Sequence, residues 1–258
     1  MMAPIKYMNA IDKVLFWVSV PKCVFCGERL ERYELALCKD CKNEYYDSKE
    51  RSCSVCGNPV YHCTCTNKYL ESHFIHKLIK VYRYQIGEEL PSNTLIYKLK
   101  RDYRRDVFDF LTEELVKSFS YSQKIEDGMI ITSVPRRRKS KKKYGYDHAK
   151  ILAKALSKRL SVEYAELLSS KTKIAQKKAQ SVEERKQNAI FKLKNEKLDL
   201  SGKTVVLVDD IVTTGASMGA CAFQLKALAP KKIIGASIAI AYKDVYQPPS
   251  SEDRFYKR

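Results

Sequence analysis

The amino-acid sequence predicts an α/β protein built on a parallel β-sheet, with a small cysteine-rich module near its N-terminus. Short apolar runs at Met129–Val134, Val205–Val208 and Ile233–Ala241 are typical of strands buried on both faces. Segments with helical spacing separate these runs, and strands that alternate with helices indicate a parallel sheet. The cysteines predict the module, since eight of the nine lie between positions 23 and 65.

The same patterns predict the other elements. Residues 1–20 are expected to be helical, and Ile79–Tyr84 alternates as a strand does. Pro91–Asn93 is typical of a turn that caps a helix. Helical spacing then predicts three helices, at residues 94–99, 107–119 and 149–160.

The elements suggest three parts of the chain. Residues 1–68 would hold the N-terminal helix and the cysteine-rich module, residues 69–245 the α/β domain, and residues 246–258 a loose tail. Within the domain, residues 169–203 are polar and lysine-rich, with little periodicity.

The segment after Val205–Val208 combines two acids with a loop of small residues. Asp209 and Asp210 are expected to end the strand, and a helix pattern begins near Met218. Between them lie small and hydroxylated residues, namely Thr213, Thr214, Gly215 and Ser217. A loop that leads into a helix can hold a phosphate with its N–H groups and the helix dipole. Ionised carboxylates accept hydrogen bonds, so the acid pair suits the two hydroxyls of a ribose. The simpler interpretation is a buried strand that ends in two solvated aspartates.

The cysteines fall into four closely spaced pairs: Cys23 and Cys26, Cys38 and Cys41, Cys53 and Cys56, Cys63 and Cys65. Zinc takes four thiolates in a tetrahedron, and a C-x-x-C turn supplies two of them. Gly27 and Gly57 each follow such a pair, where a tight turn favours a residue that tolerates positive φ. Pairing in chain order would give two closed, structural zinc sites, although a crossed arrangement is also possible.

Two alternatives to cysteine-only zinc sites exist. A disulfide framework belongs to secreted chains, and the apolar stretch Val14–Val20 is shorter than the core of a signal peptide. His62, His73 and His76 lie nearby and could replace a cysteine ligand. Cys221 lies far from the others, in the helix after the loop, where it is expected to be a core residue.

A basic run follows the predicted strand Met129–Val134. Residues 136–143 carry seven cations, and Tyr144 and Tyr146 come directly after them. The carboxyl ends of parallel strands share one edge of a sheet, so this run and the acid pair should face the same site. Arg136 and Arg137 suit a diphosphate, because arginine can bind it through two hydrogen bonds. The alternative is a solvated run, or one that holds single-stranded DNA between cations and stacked tyrosines.

The charge and hydropathy of the whole chain limit its function classes. The formal net charge is +18 over 258 residues, which favours phosphorylated substrates or nucleic acid as partners. No apolar run approaches the roughly 20 residues of a membrane span, so we expect no membrane insertion. A cytoplasmic location follows as an expectation.

The stretch from Thr204 to Ser217 resembles the phosphoribosyl diphosphate (PRPP) binding motif of type I phosphoribosyltransferases. The resemblance implies that the domain has the type I phosphoribosyltransferase fold, which is built on a parallel sheet. It implies that Asp209 and Asp210 hold the ribose hydroxyls and that the loop residues named above hold the 5′-phosphate. It also implies Mg²⁺ as the partner of PRPP.

Together with the cysteine module, this motif is similar to the ComF (competence protein F-like) family. Val134–Arg138, Lys143–His148 and Glu184–Asn188 stand where that family has further motifs, and Leu99–Lys100 matches an upstream pair. Asp147 and His148 depart from the amides expected there. The resemblance implies a role in natural competence and DNA uptake, with other competence proteins such as a DNA-translocating helicase as partners.

Two functions are compatible with these patterns. The first is transfer of ribose 5-phosphate from PRPP to an unknown nitrogenous acceptor. The second is a non-catalytic adaptor that binds single-stranded DNA and uses a PRPP pocket for regulation. The acid pair favours the first, whereas the charge and the zinc module favour the second.

Overall fold

The computed structural model describes residues 21–32, 34–101, 104–136, 145–170 and 190–241. The helices in these ranges are α1 (Lys39–Glu50), α2 (Lys68–Ser72), α3 (Pro91–Arg101), α4 (Arg105–Ser122), α5 (His148–Leu160) and α6 (Ala216–Lys226). The strands are β1 (Ile75–Arg83), β2 (Ile130–Ser133), β3 (Glu163–Tyr164), β4 (Leu168–Ser170), β5 (Phe191–Leu193), β6 (Thr204–Val212) and β7 (Lys232–Ile240).

Five of the strands form a fully parallel sheet in the order β1-β7-β6-β2-β3. Strand β6 lies at its centre, paired with β7 from Thr204 to Val212 and with β2 from Val205 to Val208. The predicted α/β class with a parallel sheet is therefore confirmed. Because the carboxyl ends of all five strands lie on one side, that side can carry a ligand site.

The sheet is buried on both faces, as its apolar strands predict. Successive side chains of a strand point to opposite faces. Val206 and Val208 accordingly belong to the core under α3, α4 and α5, whereas Val205 and Leu207 belong to the core under α6. All four side chains are fully buried. Burial of each such side chain contributes roughly 1.5–3 kcal/mol to folding.

The cysteine-rich segment packs along the β1 edge of the sheet. The backbone N–H of Leu78 in β1 donates to the carbonyl of Thr64 at 3.0 Å. Cys23, Cys38 and Cys41 join the core on the α4 face, and Cys53 and Cys63 join the core on the α6 face. The segment thus covers a strand edge that would otherwise expose unpaired backbone groups.

Several element boundaries differ from the sequence predictions. Strand β6 continues to Val212, so the acid pair lies inside the strand and does not end it. Pro91 starts α3 and is not part of a preceding turn, because proline fits the first helical position, where no N–H is needed. The antiparallel pair β4–β5 spans the polar stretch 169–203, in which the lack of periodicity predicted no strand.

The helix expected in residues 1–20, the run Arg137–Tyr144 and the tail lie outside the described residues. None of the helices in the described ranges is long and apolar enough to cross a bilayer.

Candidate functional site

The acid pair lies near the carboxyl end of the central strand. Asp209 is in register with Ser237 of β7, and Asp210 follows it within β6. The strand is still paired with β7 here, so the backbone that carries both acids is held on that side. The carboxylates also bind backbone locally: Asp209 Oδ1 accepts from the N–H of Asp210, and Asp210 Oδ1 accepts from the N–H of Ile211, both at 2.8 Å. These bonds restrict the orientation of each carboxylate.

Three elements bring positive or titratable groups to Asp210. Lys100 from the last turn of α3 places its Nζ 3.8 Å from Asp210 Oδ2, and His148 from the start of α5 places its Nδ1 4.0 Å away. Arg136 lies just after β2, and its positive charge also acts on Asp210. Asp210 Oδ2 is itself buried and accepts no hydrogen bond from the described residues. A buried carboxylate oxygen without a donor is suited to a ligand hydroxyl or a cation.

The two acids differ in their protonation. Burial and the charge of Asp210 raise the pKa of Asp209 well above its ordinary value. Burial opposes ionisation of Asp210 too, but Lys100 and Arg136 outweigh it and lower the pKa of the Asp210 carboxyl. Two adjacent carboxylates resist joint ionisation. Asp210 is therefore the ionised partner, and Asp209 is the acid that resists ionisation.

His148 is fully buried below Asp210 and is neutral near pH 7. Burial lowers its pKa to about 4, and the charges of Arg136 and Lys100 act in the same direction. Its neighbour Asp147 is the N-cap of α5, where its side chain accepts from the N–H of Lys150 at 3.4 Å. Asp147 and His148, which stand where the family has amides, thus have structural roles here: Asp147 caps α5, and His148 packs against Asp210.

The loop after β6 has the shape that the sequence predicts. Gly215 has φ +83° and is the N-cap of α6, so the first free N–H groups of the helix face the loop. Thr214 Oγ1 accepts from the N–H of Ala216 at 3.3 Å. Thr213 is exposed, and Thr214 and Ser217 are half-buried. The loop therefore offers hydroxyls and backbone N–H groups beside the acid pair.

Helix α2 contacts this loop through its N-cap residue, Asn67, which the sequence did not predict. Asn67 Nδ2 donates to the carbonyl of Thr214 at 3.3 Å, while Asn67 Oδ1 caps α2 by accepting from the N–H of Leu70 at 2.9 Å. A Cβ on Gly215 would lie 2.8 Å from Leu70 Cγ. The loop needs glycine there for two reasons, its positive φ and the close approach of Leu70. The cue in the sequence is an N-cap asparagine two residues after Cys65.

The eight cysteines form two groups that match pairing in chain order. Cys23, Cys26, Cys38 and Cys41 form one group, and Cys53, Cys56, Cys63 and Cys65 form the other. Within each group the sulfur atoms lie within 4.8 Å of one another, and Cys26 Sγ lies 3.6 Å from Cys38 Sγ. Four thiolates around zinc at about 2.3 Å would be separated by about 3.8 Å. Both groups therefore fit a tetrahedral thiolate site, and the described histidines belong to neither.

The two groups begin with the same hairpin. In the first, the N–H of Gly27 donates to the carbonyl of Cys23 at 3.1 Å; in the second, Gly57 donates to Cys53 at 2.8 Å. Both glycines have positive φ, as predicted. Burial opposes ionisation of Cys23, yet backbone N–H donors from Cys38, Cys26 and Phe25 lower its pKa to about 7. These backbone donors favour the thiolate form of Cys23, which is the form that binds zinc.

Part of the predicted site lies outside the described residues. Arg137 and Lys141–Tyr144 belong to this part, so only Arg136 of the basic run is placed near the acids. Tyr146 is described: its ring packs against Phe108 and His148, and its hydroxyl donates to the carbonyl of Leu99 at 3.4 Å. A tyrosine held in this way is part of the core and is poorly placed to stack on a nucleic-acid base.

Residues 143–257 match the family described as the phosphoribosyl transferase domain. The parallel sheet of the described residues, with β6, its loop and α6, agrees with a phosphoribosyltransferase fold. The match covers just under half of the chain and includes the acid pair, the loop and α6. It begins after the cysteine groups, so it does not account for the N-terminal module.

Solved phosphoribosyltransferases are similar to this chain at low identity. A purine phosphoribosyltransferase from Pyrococcus horikoshii Ot3 has 18% identity and a TM-score of 0.32, over 54% of this chain and 89% of that one. An adenine phosphoribosyltransferase from Thermoanaerobacter pseudethanolicus has 17% identity and a TM-score of 0.36, over 58% and 86%. A hypoxanthine phosphoribosyltransferase from Staphylococcus aureus has 10% identity and a TM-score of 0.32, over 61% and 71%. Comparison with curated proteins finds no match.

The cysteine geometry predicts two bound zinc ions per chain. Elemental analysis of purified protein should find about two, one for each tetrathiolate group. The double variant Cys53→Ser and Cys56→Ser should bind one, because it removes two ligands of the second group. Cys221→Ala is the matched control and should still bind two, since this cysteine lies in the core of α6. Protein without zinc and with all eight cysteines in disulfides would contradict the assignment.

The contact of Asn67 with Thr214 predicts that α2 orders the loop. Asn67→Ser should keep the helix cap, because serine caps as well as asparagine, but it loses the amide donor. Amide hydrogen exchange over residues 213–217 should then become up to about tenfold faster, the worth of one hydrogen bond. Ser72→Ala on the same short helix is the control. Equal exchange in the loop of Asn67→Ser and of the unmodified protein would show that the bond does not order it.

Proposed function

We propose that this protein binds PRPP at the carboxyl edge of its sheet and transfers ribose 5-phosphate to a nitrogenous acceptor. The observation that carries the proposal is the acid pair beside a helix-initiating loop, with a buried Asp210 oxygen that accepts no hydrogen bond from the described residues. The match to the phosphoribosyl transferase domain covers the same residues and supports it.

Each part of the site has a proposed role. Asp209 and Asp210 accept hydrogen bonds from the two ribose hydroxyls. The 5′-phosphate lies in the loop, held by backbone N–H groups and the start of α6 together with Thr213, Thr214, Gly215 and Ser217. Arg136 and Arg137 hold the diphosphate, since arginine binds phosphate oxygens in pairs.

Magnesium fits this arrangement, because the acid pair offers carboxylate oxygens and Mg²⁺ prefers oxygen ligands while retaining several waters. Asp209 and Asp210 are the residues that would hold it, and it would supply positive charge to the diphosphate when bound.

The reaction breaks the bond between C1 of the ribose and the diphosphate oxygen. The bonding electron pair leaves with the diphosphate, and an acceptor nitrogen forms the new bond to C1 and loses its proton. The residues of this chain position the ribose and stabilise charge on the leaving group. Lys100 and Arg136 lie near enough to Asp210 to keep it ionised for this purpose.

The zinc ions are proposed to be structural, because four thiolates leave no open position for water or substrate. We propose the boundaries 1–68, 69–245 and 246–258 for the module, the domain and the tail. The cysteine module in front of this domain is what supports membership of the ComF family, with a cytoplasmic role in DNA uptake and competence proteins such as a helicase as partners.

A second candidate function rests on the charge. With a formal net charge of +18, the chain could bind single-stranded DNA as a competence adaptor and use PRPP only for regulation. The two functions share the PRPP site and differ in turnover. Mass spectrometry of a reaction with Mg-PRPP and a mixture of nucleobases distinguishes them: the transferase releases diphosphate and forms a new ribosylated product, and the adaptor does neither.

The proposed role of the acids predicts a large loss of affinity in the double variant Asp209→Asn and Asp210→Asn. Calorimetry should find Mg-PRPP binding weaker by a few kcal/mol, about the worth of one charge-assisted and one neutral hydrogen bond. Asp199→Asn is a matched control, because Asp199 is an aspartate in an exposed turn that, among the described residues, accepts hydrogen bonds from Ser201 alone. Unchanged affinity in the double variant would exclude the acids from the site.

A further inference from the structure

A basic groove lies at the opposite edge of the sheet from the acid pair. It is lined at the amino ends of β1 and β7 by Lys77 and Lys232, and beside them by Lys226, Lys231 and the ring of Phe74. Lys232 is in register with Thr204 of β6, and Asp209 lies five residues further along that strand. This spacing separates the groove from the acids by about 17 Å. The groove is thus a separate surface, outside the proposed PRPP site.

Phe74 has a backbone conformation that its side chain does not favour. Its φ is +67°, directly after α2, where helices usually end in glycine because a Cβ is strained there. Burial of the ring does not explain why phenylalanine stands at this position, since 38% of the residue is exposed. Lys226 Nζ lies over the ring, 5.1 Å from its centroid. The chain therefore holds an aromatic ring at the surface, next to a cation, at a position where glycine would be less strained.

The groove has an excess of positive charge. Glu126 pairs with Lys232 at 2.5 Å and with Lys231 at 3.8 Å. Hydrogen bonds from Lys232 and Thr204 lower the pKa of Glu126 to about 2, so this carboxylate is ionised at neutral pH. Lys77 donates to Gln123 Oε1 at 3.0 Å and to the carbonyl of Ser122, which are neutral acceptors. Among the described residues, Lys231 and Lys232 thus share the single negative charge of Glu126, while Lys77 bonds to neutral groups.

We propose that this groove binds a nucleotide, free or within a single strand, with its base stacked on Phe74 and its phosphates held by Lys226 and Lys231. An exposed aromatic ring beside several cations is how proteins hold single-stranded nucleic acid without sequence preference. The base takes the exposed part of the ring. Lys226, which lies beside the ring, and Lys231, whose contact with Glu126 is the longer of the two, take the phosphates. The proposal does not depend on transferase activity.

The test is fluorescence anisotropy with labelled dT15, with saturating Mg-PRPP present to occupy the other anion site. Phe74→Gly should weaken binding at least fivefold, because stacking of one base is lost, and its unfolding temperature should equal or exceed that of the unmodified protein. The double variant Lys226→Gln and Lys231→Gln should reduce the slope of log K against log salt by about 1.4. Phe223→Ala and Lys39→Gln are controls, since both side chains are exposed and lie outside the groove.

A second arm, with thymidine diphosphate as competitor, separates the two sources of nucleotide. Displacement of dT15 by the mononucleotide supports a site for free nucleotides, and binding of dT15 alone supports a site for a strand. Binding that is equal in the unmodified protein and both groove variants would overturn the proposal. So would loss in the lysine variant alone, because the base would then have no role. The absence of dT15 and mononucleotide binding at low salt would also overturn it.

Discussion

The desolvation of two adjacent carboxylates within a buried central strand is the constraint on which this site depends. An uncompensated buried charge is costly, so the ionised acid must be compensated by opposite charge or by a ligand. Asp210 is compensated by Lys100 from α3 and by Arg136 after β2, and His148 from α5 fills the space below it. Helices α3 and α5 must therefore pack on the sheet, and β2 must pair with β6, before the acid pair is tolerated. The site is a product of the whole domain, and the strand alone would not provide it.

The cysteine-rich segment is the second determinant of the architecture. It is too small to build an adequate core of its own, and segments of this kind depend on metal to fold. Its two cysteine groups join different cores, one on each face of the sheet. The short helix that follows the second group carries Asn67 and Leu70, which contact the loop after β6. Helix α2 thus connects the second cysteine group to the loop after β6, and loss of structure in that cysteine group should loosen the loop.

Local pattern predicted much of the fold, and long-range contact determined the rest. The apolar runs of β2, β6 and β7 and the spacing of α4 and α5 are periodic, so their existence could be predicted. The end of β6 could not, because pairing with β7 carries the strand past the acids to Val212. The small β4–β5 pair has no apolar periodicity, and its strands are only three residues long.

The same distinction holds for the site. The acid pair, the loop and both cysteine groups are contiguous motifs whose chemistry is legible in the sequence. Lys100 and His148 contact Asp210 although they lie 110 and 62 positions before it in the chain. Asn67 bonds to Thr214, which lies 147 positions after it. Nothing in the local sequence marks such partners, because their proximity is created only when the helices pack on the sheet.

The most direct test of the central claim is the thermal stability of Asp209→Asn with and without Mg-PRPP. Because burial raises the pKa of Asp209, ionising it in the fold costs stability, and this cost grows as the pH rises above the ordinary aspartate value. An amide keeps the acceptor for the Asp210 N–H and removes the charge. The account predicts that the variant without ligand unfolds at a higher temperature than the unmodified protein at neutral pH. It also predicts that Mg-PRPP stabilises the unmodified protein but stabilises the variant much less. A variant that is less stable without ligand, yet equally stabilised by Mg-PRPP, would contradict it.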